Sequence, residues 1–176
     1  MTLNELREMT KEQYPKGSAE ILEQIEKSLF LKKFDSLDAL EIGNRVVKIS
    51  EKYKMEPLVM IIREQDELPI FQFAGNTMSQ RNVNFAMKKR NTVLKTGHCS
   101  LWVMASQQIY GGMEEYFKDD TECLPVGGAF PIYVNDILTA TIAMSGLKEG
   151  LDHQVIVDAL ADYFQLQLPV FHGKLV

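Results

Sequence analysis

Four short stretches of the chain carry side chains able to do chemistry. Lys88-Lys89-Arg90, with Arg81 and Lys95 close by, is the densest basic cluster. On a helix such a cluster makes either an anion clamp for a carboxylate or phosphate, or a solvated face. Lys88 and Lys89 suit the solvated face. Arg90 suits it less, because it falls on the side of Met87 and Leu94. An inward arginine needs an anion, from a ligand or from the protein, since an unpaired buried charge is costly. His98-Cys99-Ser100 follows Thr96-Gly97 at the expected start of a helix. There the imidazole could ligate iron, the free backbone N–H groups could bind an anion, or the helix terminus could favour a Cys99 thiolate. The competing reading is a capping segment with a satisfied histidine. Asp152-His153 opens the last expected helix, as a proton-transfer pair or as an N-cap aspartate followed by an exposed histidine. Gly127-Gly128 leaves room for a flat ligand to approach the backbone. If a ligand site exists, Arg90, His98, Gly127 and Gly128 are its expected members. His172 is a remoter candidate. The nine methionines read as core filler.

Other chemistries lack their usual residues. The chain has no Walker A loop, no H-E-x-x-H, no G-x-S-x-G and no repeated C-x-x-C. Gly127-Gly128 lacks the spacing of a dinucleotide fingerprint. Glu114-Glu115 and Asp119-Asp120 sit in a polar linker and read as solvated.

The elements that must position these residues are legible from periodicity. Ser18 heads a helix with Ile21, Leu22, Ile25 and Leu29 in one stripe. Ser36 opens a stronger one, with Ala39, Ile42, Val46, Ile49 and Tyr53 inward, and Pro57 ends it. Leu58 to Ile62 is an unbroken apolar run, the mark of a strand covered on both faces. Gln65-Asp66-Glu67 turns it into a partner from Leu68 to Ala74, whose Pro69 argues for an edge. Thr77 or Ser79 caps a helix reaching Leu94, with Val83, Ala86, Met87, Arg90 and Leu94 on one side. Ser100 to Tyr110 reads as helix and Gly111 to Cys123 as a linker. Phe130 to Val134 and Ile137 to Met144 flank Asn135-Asp136 as a hairpin, and Val155, Ile156, Ala159, Leu160, Tyr163 and Phe164 face one way on the last helix. A fifth short strand is possible near Leu124 to Gly127. The order α-α-β-β-α-α-β-β-α, with hairpin-joined strands, argues α+β with an antiparallel sheet of four or five strands flanked by helices.

Composition narrows the partners. With 176 residues, 45% hydrophobic and 24% charged, the chain has enough material for one core. It is expected to fold as one domain over 1–176, with 1–17 as an N-terminal arm and 166–176 as a tail whose Leu166, Leu168, Val170 and Phe171 are apolar enough to pack, with another subunit as one candidate surface. A net charge of −5 argues against generic nucleic-acid binding. No run approaches the roughly 18 apolar residues of a membrane span, and Met1 to Met9 has no signal-peptide core. Cys99 and Cys123 are too few for a disulfide framework. A cytoplasmic protein with free thiols is the expectation.

Gly127-Gly128-x-x-Pro131-Ile132, the strand–turn–strand after it, Met144-Ser145-Gly146-Leu147 and Asp152-His153 together resemble the haem-degrading-domain (GlcG/HbpS-like) family. Lys88 to Val93 and His98-Cys99-Ser100 resemble its small branch of uncharacterised proteins more closely. The resemblance runs from about Ser36 to Gln165. It implies a profilin- or PAS-like α-β-α sandwich, a homo-oligomer of at least two copies, and haem or another small anionic ligand in some members. It implies no single agreed activity. The chain therefore reads as an oligomeric ligand-binding protein. A slow haem-degrading or other redox enzyme and a non-catalytic interaction module stand as alternatives.

Overall fold

Two hairpins make the sheet, and their turns set their registers. In this computed structural model, which describes Tyr14 and residues 16–106, 117–147 and 151–173, β1 (Leu58–Arg63) pairs antiparallel with β2 (Leu68–Ala74), and β3 (Ala129–Val134) with β4 (Ile137–Ser145). Asn135 and Asp136 both take positive φ, 49° and 65°. Two left-handed residues in succession match the twist of the strands they join, so this hairpin forms as expected. The strand order is β2-β1-β4-β3, with β1 and β4 antiparallel at the centre. Pro69 and Pro131 both lie on outer strands, where an absent N–H costs no ladder bond. The ladder slips one residue just after Pro69, opposite Ile61 and Ile62. Leu124 to Gly127 is not a strand but a connection. Its Leu124 N–H donates to the Lys88 carbonyl at 3.0 Å.

Helices cover both faces. They are α1 (Ser18–Ser28), α2 (Ser36–Glu51), α3 (Gln80–Thr96), the single turn α4 (Trp102–Ala105) and α5 (Leu151–Phe164). On one face Ala86 and Val93 of α3 pack with Leu58, Met60, Ile62, Ala129 and Ala143. On the other, Val59, Ile61, Phe130, Ile132, Ile142 and Met144 join Leu22 and Ile25 of α1, Ile42 and Val46 of α2, and Ile156 and Leu160 of α5. Alternate residues of each central strand thus feed opposite cores, which explains the unbroken apolar run of β1. Gly43 lets α2 approach the sheet closely, because a Cβ there would stand 2.5 Å from the Phe71 ring.

Several boundaries differ from expectation for local reasons. Gly17, left-handed at φ 92°, precedes α1 in place of a Ser18 cap. Asp35 caps α2 in a reciprocal box with Asp38. Tyr53 lies beyond the end of α2 and is exposed. On α3, Leu94 is exposed, and the inward arc is Ala86, Lys89, Arg90 and Val93. Of the helix expected over Ser100 to Tyr110, α4 is the described part. Residues 107–116, with much of the expected linker, and the arm residues 1–13 and 15 lie outside the described residues.

Ile142 stands opposite both Ile61 and Phe130 and is fully buried. Replacing it with alanine should remove roughly 2–5 kcal/mol of stability, measured by urea unfolding. A loss below about 0.5 kcal/mol, the range of an ordinary surface substitution, would mean that this position is not at the centre of the core.

Candidate functional site

α3 presents Lys89 and Arg90 inward, and each meets carboxylates. The Lys89 ammonium donates to Asp152 Oδ2 at 2.8 Å and to the Met144 carbonyl at 3.1 Å. Both side chains of this pair are nearly sealed, at 6% and 5% exposure. The other oxygen of Asp152 accepts the Leu147 N–H at 3.0 Å. Gly128 closes the space around the pair. It has φ 125°, and a Cβ there would lie 2.6 Å from Lys89 Nζ and 2.8 Å from the Met144 carbonyl oxygen. Beside the pair opens a cleft of about 350 Å³ whose wall includes Phe85, Lys89, Leu124, Val126, Gly127 and Asp152. An ammonium has three N–H donors, and protein acceptors take two of those of Lys89.

Arg90 points to the β1–β2 turn. Its guanidinium forks onto Glu64, Nε at 3.0 Å and Nη2 to the second oxygen, and also reaches Glu67 at 3.0 Å. Its acceptors are therefore protein carboxylates. The rest of the basic cluster divides. Arg81 stacks over Phe85, and Lys95 pairs with Asp120 at 2.6 Å. With that partner and the N–H groups of Glu122 and Cys123, the Asp120 carboxyl is pulled down to about 2. Asp120 is thus engaged rather than freely solvated as expected.

His98 occupies a third place. Its ring stacks on Trp102, centroids 4.2 Å apart, and Nδ1 lies 2.7 Å from Glu26 Oε2. Burial alone would lower its pKa, but the hydrogen bond and charge of Glu26 outweigh that and raise it. Glu26 Oε1 also accepts the Cys99 N–H at 2.6 Å, while His98 N–H goes to Thr96 and Ser100 N–H to the Ala129 carbonyl. The backbone donors read as an anion site are thus already satisfied. Burial, then the Glu26 charge, pushes the Cys99 thiol well up, so the thiolate reading fails.

Asp152-His153 also departs from expectation. His153 is fully buried instead of exposed. Its ring lies near Phe130 and Phe171, with centroids 6.3 Å and 6.2 Å away, and neither ring nitrogen has a hydrogen-bond partner among the described residues. Burial drives its pKa down to about 4. His172 is exposed. Among the described residues no group of three His, Cys, Asp or Glu could hold a metal ion, and no helix is long and apolar enough to cross a membrane.

Arg90, His98 and Gly128 thus stand at a hairpin turn, at the end of α3 and over the Lys89–Asp152 pair. Among the described residues the hydrogen bonds at these three places run to different partners. Sequence reasoning missed the inward lysine, the buried imidazole and the Glu26 acceptor. The Ala86–Lys89–Val93 spacing of three and four was the available signal for the lysine. Nothing local marks Glu26, which is 72 residues from its histidine.

Comparison with known proteins bears on the family and the fold. The model of the haem-degrading HbpS-like family matches residues 34–161. The UPF0303 protein mlr5144 of Mesorhizobium japonicum is 30% identical over 151 residues, covering 81% of this chain and 86% of its own. The crystal structure of the Ybr137w protein superposes with a TM-score of 0.75 at 24% identity, over 94% of this chain and 96% of that one. The PduOC:heme complex gives 0.56 at 14% identity, over 80% and 99%. At these identities the two structures are similar to this chain in fold.

His153 makes stability depend on pH. Its folded pKa lies below the ordinary value of 6.5, so between these pH values the unfolded chain binds the extra proton. Stability should therefore fall as pH drops from 7 toward 4, by about 3 kcal/mol from this group. The raised pKa of His98 acts oppositely, adding stability in acid that is lost as pH rises through its folded pKa. Urea midpoints at pH 7 and 4.5 for the parent and His153→Leu should show a smaller acid loss in the variant. Equal losses would exclude His153 as the cause.

Proposed function

The chain belongs to the HbpS-like haem-degrading family, in its UPF0303 branch, and from that premise we propose that it is a self-associating, single-domain protein that binds a small anionic ligand, haem among them. The observation that carries the reading is the cleft beside Gly127. It has apolar walls in Phe85, Leu124 and Val126 and a buried ammonium at its floor. Its volume falls at the lower end of ordinary ligand pockets. A ligand carboxylate there would accept the remaining N–H of Lys89. Arg90 offers a second anion position by exchange, since its partner Glu67 is 73% exposed and free to swing away.

The residues present fit haem at one point. Glu26 holds His98 Nδ1, the arrangement that orients a metal-ligating imidazole, and leaves Nε2 without a partner among the described residues. His98 would hold the iron, which supplies the redox chemistry when bound. Binding through Nε2 needs the neutral ring, so the raised pKa predicts weaker haem binding in acid. The cleft at Gly127 has no imidazole or thiol in its wall and suits a carboxylate alone. The PduOC:heme complex supports a haem ligand by fold likeness. Self-association would cover large apolar side chains left exposed, among them Leu37 at 73% and Ile137 at 69%.

Haem titration of the parent and of His98→Ala, each checked for intact fold, tests the reading. A saturable Soret shift in the parent, lost in the variant and weakened at low pH, is expected. No saturable binding by the parent would remove haem. Loss of the bound band on adding a reductant would favour the redox enzyme over the binding protein. Light scattering should give a mass above the 20.1 kDa of one chain, and a 20.1 kDa species alone would refute self-association.

A further inference from the structure

A second cavity lies on the opposite side of α5, remote in chemistry from the cleft at Gly127. It measures about 160 Å³ and is walled by Ile25 of α1, His153 and Val157 of α5, and Leu168, Pro169 and Phe171 of the segment after α5. That segment crosses α5 as a strap, and its Phe171 ring sits near His153 and Tyr14, with centroids 6.2 Å and 6.4 Å away. Gln154 and Asp158 stand at its polar side, bonded to each other at 2.7 Å. Within this wall, which is apolar on the side of Ile25, Val157, Leu168 and Phe171 and polar on the other, His153 is 1% exposed and both ring nitrogens lack a partner among the described residues.

We propose that this strap-covered cavity is a binding site for a small neutral aromatic molecule carrying one hydroxyl, held by its ring among the apolar walls and by its hydroxyl on the His153 imidazole. Three observations set that class. The volume is close to that of an apolar cavity of about 150 Å³ that takes up a single benzene, so one six-membered ring fits and a fused ring system does not. A neutral imidazole offers one donor and one acceptor, and a hydroxyl complements either. Among the described residues no cationic side chain lines the wall, and Asp158 at the polar side repels anions, so a carboxylate or phosphate is disfavoured. Burial keeps the imidazole neutral at ordinary pH, which suits it to a neutral partner. An unpartnered buried polar group is costly, and a ligand hydroxyl removes that cost. The site is independent of the anionic ligand proposed above, whose walls share no residue with it except through the fold.

The test uses phenol and toluene as probes on the full chain. They have nearly the same ring and bulk but differ in the hydroxyl. Calorimetric titration of the parent should show saturable phenol binding, roughly five- to tenfold tighter than toluene. His153→Leu leaves a bound hydroxyl without its partner and should bind phenol no tighter than toluene. Should that variant fail to fold, the His153 ring nitrogen resonances of the parent provide the answer. They should move on saturation with phenol and stay in place with toluene. Absence of saturable phenol binding, equal affinities in the parent, a preference that survives in His153→Leu, or ring resonances unmoved by phenol would each overturn the proposal.

Discussion

A lysine ammonium and an aspartate carboxylate, 2.8 Å apart and almost sealed from water, join α3 to the start of α5 at the end of β4. Neither charge tolerates burial alone, so each fixes where the other's helix must lie. Met144 at the end of β4 supplies the second acceptor for the lysine, and Leu147 beyond that strand supplies a donor to the aspartate. Gly128 then has to be glycine, because φ 125° strains any other residue and a Cβ would stand 2.8 Å from the Met144 carbonyl oxygen, as well as against the ammonium. Its carbonyl accepts the Met144 N–H at 2.7 Å, which locks the start of β3 to the end of β4. One ion pair thereby sets two helices, two strands and one wall of the cleft.

The same logic recurs at the other charged positions. α3 crosses a face lined by apolar side chains yet sends two cations into it, and each is matched, Lys89 by Asp152 and Arg90 by Glu64 and Glu67. Glu26 does the reverse on the opposite side, an inward anion met by the His98 ring and the Cys99 N–H. Such matched charges specify geometry more than they add stability. His153 is the exception, an ionisable group buried with no partner among the described residues, and it keeps its place by staying neutral.

The strands, their edges and the Asn135-Asp136 turn were legible because their signals are local: alternation, prolines, and two residues that accept positive φ. The helices were legible as stripes, but the inward arc of α3 was read one step off. The rule that charges face water gave Leu94 the interior and Lys89 the solvent. Only long-range partners reverse that reading, and Asp152 lies 63 residues from Lys89. The glycine pair was singled out as a place for a flat ligand to approach the backbone. What approaches Gly128 in the folded chain is the lysine's own ammonium. His153 was hidden for a similar reason, since the strap that covers it comes from the tail beyond α5.

A double-mutant cycle on the buried pair tests this account most directly. Urea unfolding of Lys89→Met, Asp152→Asn and the double variant would be compared with the parent. Each single change strands a buried group and should cost roughly 3–5 kcal/mol. The double variant should cost clearly less than their sum, with a coupling of about 1.5–3 kcal/mol. Single losses under about 1 kcal/mol that add within about 0.5 kcal/mol would contradict the claim that this pair holds the helices to the sheet.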